Sequence, residues 1–272
     1  MPGQNPGKGR VRGVPMTSMG ITIFALMTIA IAALFIYFAQ YSRFGPTMRK
    51  IGGASPAMAA IFLIFGLNLA FVSNEVWGLY DKAKAVVATE GDALRSLARV
   101  AQSIRAPIGK EFMIALQRYE TYAVGEGWNA LRTGSAYGEG GSSGPLVALA
   151  NSDEMAKAAS PNAVGQLIAG VNTVRTARNE RFALASSGMN PVKWIFLCFL
   201  DIVALLAVSL ASMEKKSPHI VASVLFLLST VPPIIMLANQ SNPYAGFTAV
   251  SPKPIETALE HLTEQLEKSR SK

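Results

Sequence analysis

The chain is predicted to be an all-α integral membrane protein, with four transmembrane helices and a cytosolic helical insert between spans two and three. Three observations lead there. Half of the 272 residues are hydrophobic and only 15% are charged, more apolar side chain than a water-facing core accommodates. Four runs, Met16 to Tyr41, Ser55 to Asn74, Trp194 to Met213 and Pro218 to Ala238, are almost free of charge. Each is long enough to cross a hydrocarbon layer of about 30 Å at about 1.5 Å per residue. Between the second and third runs, apolar residues recur at three- and four-residue steps, the period of an amphipathic helix.

Ser55 to Ala106 reads as one rod that starts in the membrane and ends in water. Charges appear from Glu75 onward, yet no proline intervenes before Pro107. Val76, Tyr80, Ala83, Val87, Leu94, Leu97, Ala101 and Ile104 share a helical face.

Around this rod the chain divides into five parts: a disordered basic arm at 1–15, spans one and two at 16–80, a cytosolic helical domain at 81–188, spans three and four at 189–240, and a C-terminal segment with an amphipathic helix at 241–272. The arm holds Lys8, Arg10 and Arg12 among glycines and prolines. The first apolar run exceeds the 7 to 15 or so residues of a signal peptide core, so it reads as a span. A turn with Arg43, Gly45, Pro46, Arg49 and Lys50 follows. Pro107 opens a helix with Ile108, Phe112, Leu116, Tyr119 and Ala123 on one face, and this helix fades at Gly134 into the flexible run GSAYGEGGSSGP. Ser160-Pro161 supplies an N-cap and a first-turn proline for a long helix whose apolar side is Val164, Leu167, Ile168, Val171, Val174 and Phe182. Pro232 and Pro233 are expected to kink or break span four. Ile255, Leu259, Leu262 and Leu266 give the last helix one face to bury, opposite Glu256, Glu260, Glu264 and Glu267.

Four spans place both termini and the insert on one side. Lys and Arg near the span ends favour the cytoplasm for that side. The net charge of +8 is spread among acids and beside apolar runs, which fits anionic lipid and excludes nucleic acid as a partner.

The composition offers no enzyme constellation. Two histidines, His219 and His261, cannot furnish a zinc site or a serine-histidine-acid triad. The glycine run lacks the Lys-Ser or Lys-Thr of a phosphate loop. The carboxylate stripe of the last helix lacks the loop that calcium needs, so no metal and no cofactor are assigned. Cys198 reads as a buried thiol. Asp201 is the informative acid, because a carboxylate near the centre of a span costs about 2.5–3.5 kcal/mol and normally faces a partner or a water-filled cavity. It reads as glue between helices, for instance with Asn68, as a pore-lining group, or as a proton carrier. On span two, Ile61, Phe65 and Leu69 stand at four-residue steps and read either as a hydrophobic constriction or as ordinary lipid and helix contacts.

The order of these parts resembles the bacterial bestrophin-like family of four-span membrane proteins over about Ile61 to Leu262. The resemblance rests on Glu90 with Ala93-Leu94, on Tyr119 or Tyr122 with Glu126 and Trp128, on Arg178 and Arg181-Phe182 before Pro191 and Trp194, and on Asn242-Pro243-Tyr244-Ala245-Gly246. Departures from the family pattern are Gly127 between Glu126 and Trp128, Tyr244 where phenylalanine is commoner, and the lack of an acidic cluster after span four. The resemblance implies subunits assembled as a ring, such as a pentamer, around an ion pore lined by span two, with anions as the conducted species. Glu90, Glu126, Trp128, Arg178 and Arg181 are then expected to form a structural polar cluster between helices. Two other readings share the layout: a non-conducting scaffold that binds a partner through its cytosolic helices, and a proton-driven stator that uses Asp201.

Overall fold

The computed structural model describes residues 18–41, 56–134, 143–186, 191–212 and 214–270. The basic arm, the turn with Arg43, Arg49 and Lys50, and the centre of the glycine-rich run lie outside the described residues. Within them the chain is helical: α1 (Ser18–Tyr41), α2 (Pro56–Gln102), α3 (Ile108–Val124), α4 (Glu126–Thr133), α5 (Gly144–Ala150), α6 (Asp153–Ala158), α7 (Pro161–Ser186), α8 (Pro191–Ser212), α9 (Lys216–Asn239) and α10 (Lys253–Arg270). The rod expected from Ser55 is thus one helix of 47 residues.

Among the described residues, three helices are long and apolar enough to cross a membrane, over Met58–Gln102, Val192–Ser212 and Lys216–Asn239. The described part of α1 adds a shorter apolar stretch, Leu26–Phe38. Of the kink or break expected at Pro232 and Pro233, the break does not occur: α9 runs through both. Each proline removes one N–H from the helix ladder, a loss that neighbouring helices and local adjustment accommodate in membrane helices.

The chain forms two compact units, residues 1–78 with 188–241 and residues 79–187 with 242–272. In the first, α8 packs against α9 and α1 packs against both. Phe65, Val72, Val76, Leu197, Ala204 and Ile234 form its core. Leu63, Leu67, Phe71, Phe199 and Leu228 turn outward, the arrangement that lipid as solvent permits.

The second unit is built on the later part of α2. Its core takes in Ala83, Val87, Leu94, Leu97 and Ala101, the face that the helical period marks. Helix α3 lies against α10, and α7 against α4, α5 and α6. Helix α10 buries Ile255, Ala258, Leu262 and Leu266. It comes close to α2 at Gly91, where a Cβ would stand 2.6 Å from the Pro254 carbonyl oxygen, so only glycine fits there.

Helices α5 and α6 fill a stretch in which no element is expected from periodicity. Their signals are short: Pro145 in the first turn of α5, and Ser152 accepting from the Met155 N–H ahead of Asp153 and Glu154 at α6. Helix α7 begins as expected, with the Ser160 hydroxyl accepting from the Ala163 N–H.

Candidate functional site

The polar residues expected to meet between helices do so in part. Glu90 on α2 is fully buried, and Arg181 on α7 is 1% exposed. Arg181 Nη2 donates to Glu90 Oε1 at 2.8 Å, and Arg181 Nε stands 2.5 Å from Oε2. The Tyr119 hydroxyl on α3 donates to the same Oε1 at 2.6 Å. Oε1 thus accepts two hydrogen bonds and Oε2 faces the guanidinium as its ion partner, contacts that make a buried charge tolerable away from water.

Aromatic rings close the group. The Arg181 guanidinium lies 5.6 Å from the centre of the Trp128 ring, within cation–π range. Trp128 meets Tyr244 edge to face, with centroids 5.5 Å apart. Asn242 sets that tyrosine in place: its Oδ1 accepts from the Tyr244 N–H at 3.0 Å, and its Nδ2 donates to the Leu131 carbonyl at 3.0 Å. Burial pushes up the Tyr244 phenol, and its oxygen has no hydrogen-bond partner.

Two members expected in the cluster stand differently. Glu126 is exposed in the first turn of α4, where the helix dipole favours an acid and water solvates it; Gly127 takes the buried position beside Trp128. Arg178 is half-buried one turn before Arg181 on α7. Tyr119 and Tyr244, which the sequence marks only as parts of a pattern, complete the cluster instead. The group binds four helices and the segment after α9 into one register, and it leaves neither carboxylate oxygen of Glu90 free for chemistry.

Glu120 was invisible in the sequence. It is fully buried on α3 with neither oxygen hydrogen-bonded, and burial raises its pKa to about 8. Nothing in a helical run with Gln117, Arg118 and Tyr119 singles out this acid for burial.

In the first unit, the residues named for a constriction on span two pack within their own chain. Phe65 is 6% exposed and packs on Phe226 of α9, with ring centroids 6.1 Å apart. Ile61 and Leu69 pack against the same core. The four-residue period that suggested a pore line is therefore the inward stripe of α2, and Leu63, Leu67 and Phe71 face outward.

Asp201 is fully buried on α8. Its neighbour within reach is the Thr230 hydroxyl of α9, not Asn68, although neither Asp201 nor Thr230 completes a well-formed hydrogen bond. Asn68 lines a separate groove of about 290 Å³ with Phe71, Val72, Glu75, Lys193 and Phe196. There Lys193 Nζ donates to Glu75 Oε2 at 2.5 Å. Asp201 projects toward α9 and Asn68 toward the start of α8, which is why they do not meet. Cys198 is half-buried and forms no disulfide.

These features define a helical membrane protein whose second unit is locked by a buried Glu-Arg pair. The bestrophin-like domain model matches residues 27–255, and the chain belongs to the bestrophin-like family. Its fold is similar to solved structures of a bacterial bestrophin homolog from Klebsiella pneumoniae. One, a single-site variant, has a TM-score of 0.68 at 13% identity and covers 93% of this chain and 99% of its own. Another, phased on zinc, has a TM-score of 0.67 at 14% identity, with 91% and 98% covered. A structure described as a membrane protein variant gives 0.68 at 14% identity, with 92% and 99% covered. No curated protein sequence matches the chain.

Proposed function

We propose that the chain is the subunit of a homo-oligomeric ion channel of a bacterial inner membrane, with α1 as a fourth span. Residues 16–80 and 189–240 form the membrane part and 81–188 the cytosolic helical part. Residues 241–272 follow as a C-terminal segment, and both termini face the cytoplasm as the Lys and Arg majority favours.

One observation carries this reading. Helix α2 has an inward stripe, Phe65, Val72 and Val76, buried in its own chain, and an uncharged outward stripe, Leu63, Leu67 and Phe71, that its own chain does not cover. Copies set around an axis turn the outward stripe to the centre, where apolar rings four residues apart form a constriction that gates by dewetting. The constriction is therefore assigned to Leu63, Leu67 and Phe71 in place of Ile61, Phe65 and Leu69. Membership of the bestrophin-like family supports the channel reading.

The test is native mass spectrometry of the purified protein together with chloride and potassium flux in liposomes. A closed ring of identical chains that passes ions, with flux raised by Leu67→Asn, is the expected result. A monomer that passes none overturns the reading.

A further inference from the structure

The first unit buries more polar side chains than its apolar composition explains. Thr28 on α1, Asp201 and Ser209 on α8, and His219, Ser223 and Thr230 on α9 are each at most 3% exposed. The carboxylate oxygens of Asp201 and the hydroxyls of Ser209, Ser223 and Thr230 complete no hydrogen bond among the described residues. Inside a bilayer each such group costs free energy unless water or a titrating proton serves it.

Helix geometry puts these residues in line. Asp201 meets Thr230. From there Ser223 lies seven residues nearer the α8–α9 turn on α9, about 10 Å and roughly two whole turns, so it keeps the side of Thr230, and Ser209 lies eight residues nearer on α8, about 12 Å along the axis and turned about 80° from Asp201, where it is also buried. His219 follows one turn beyond Ser223. Tyr41 at the end of α1 contacts Lys216 at the start of α9, and these helices pack together. Thr28 and Thr230 each lie about 20 Å back from that shared end, on the same level. Beyond Asp201 the line stops, because Leu197 on α8 and Ile234 and Leu237 on α9 are buried and apolar.

We propose that Asp201 is a proton-binding site served by this polar track, which opens only at the α8–α9 turn. A proton from water at the turn passes along water held by His219, Ser223 and Ser209 and bonds to an Asp201 oxygen, turning the carboxylate into a neutral acid. Release reverses the path, since Leu197, Ile234 and Leu237 close the other end. Charged neighbours are few. Cys198 stands one turn before Asp201 on α8 and feels its charge. Helix α1 carries no acid or base, α2 none before Glu75, and α9 none between His219 and Asn239. The site lies within one chain, so it requires neither a ring nor the axial constriction.

Dicyclohexylcarbodiimide, which adds to protonated carboxylic acids in membranes to leave an N-acylurea, reads the site directly by peptide mass. In proteoliposomes of uniform orientation, labelling of Asp201 is expected to fall about tenfold per pH unit once the acid ionises, and to follow only the pH on the side of the α8–α9 turn. His219→Phe and Ser223→Ala should slow the response to a pH jump, while the sided labelling of the unmodified protein needs no variant to fold. Absence of label at every pH, labelling that ignores the pH at the turn, or labelling that follows the opposite side would each overturn the proposal.

Discussion

Arg181 and Tyr119 share one acceptor: both donate to Glu90 Oε1, at 2.8 Å and 2.6 Å, from two helices that are distant in sequence. The carboxylate therefore depends on both for its burial.

Replacing Arg181 with Met leaves the Glu90 charge buried with the tyrosine as its remaining donor, at a cost of about 3–5 kcal/mol. Adding Glu90→Gln should recover much of that loss, because the unpaired charge is gone. Thermal unfolding in detergent checks this; a double variant as unstable as Arg181→Met alone would contradict it.

Tyr244 and Trp128 should respond differently. The buried Tyr244 hydroxyl has no hydrogen-bond partner, so Tyr244→Phe is expected to change stability by less than about 1 kcal/mol, or to raise it. Trp128→Ala removes the ring that meets both Arg181 and Tyr244 and should cost about 3–5 kcal/mol. Equal losses in the two melting curves would show that the tyrosine oxygen has a role that the packing does not reveal.

Gly91→Ala places a methyl group against the Pro254 backbone, with Cβ 2.6 Å from the carbonyl oxygen and 2.8 Å from the carbonyl carbon. Backbone gives way less readily than a side chain, so α10 should shift or undock. Limited proteolysis is expected to cut within Lys253–Arg270 faster than in the unmodified protein; an unchanged cutting rate would count against the tight approach.

Glu120 sets a pH dependence. Its pKa rises from 4.5 to about 8 on folding through burial, so the folded state binds the extra proton. Stability from this group is full below pH about 4.5 and declines as pH rises to about 8, by on the order of 5 kcal/mol. Glu120→Gln removes the titration and should flatten the slope between those values. A slope that persists in the variant would assign it to another group.

The helices were legible because each carries a period and a boundary signal. The unbroken, proline-free run after Pro56 gave α2, and Ser160-Pro161 gave the start of α7. What the period could not supply is which neighbour an apolar stripe faces. Ile61, Phe65 and Leu69 are spaced as a pore line would be, but the same spacing serves α2 in packing on Phe226. Glu90 and Arg181 were readable as opposite charges on separate helices, whereas the burial of Glu120 and the meeting of Asp201 with Thr230 depend on contacts across helices that no local pattern encodes. Helices α5 and α6 were missed because six or seven residues are too few for a period to emerge.

The central claim is that the outward stripe of α2 meets its copies around an axis. Single cysteines at Leu67 and at Phe65, each in a Cys198→Ala background, test it by oxidative cross-linking between chains in the membrane. Cross-linked oligomers through position 67 and none through position 65 are the predicted result. Cross-linking at 65, or at neither position, would contradict the account.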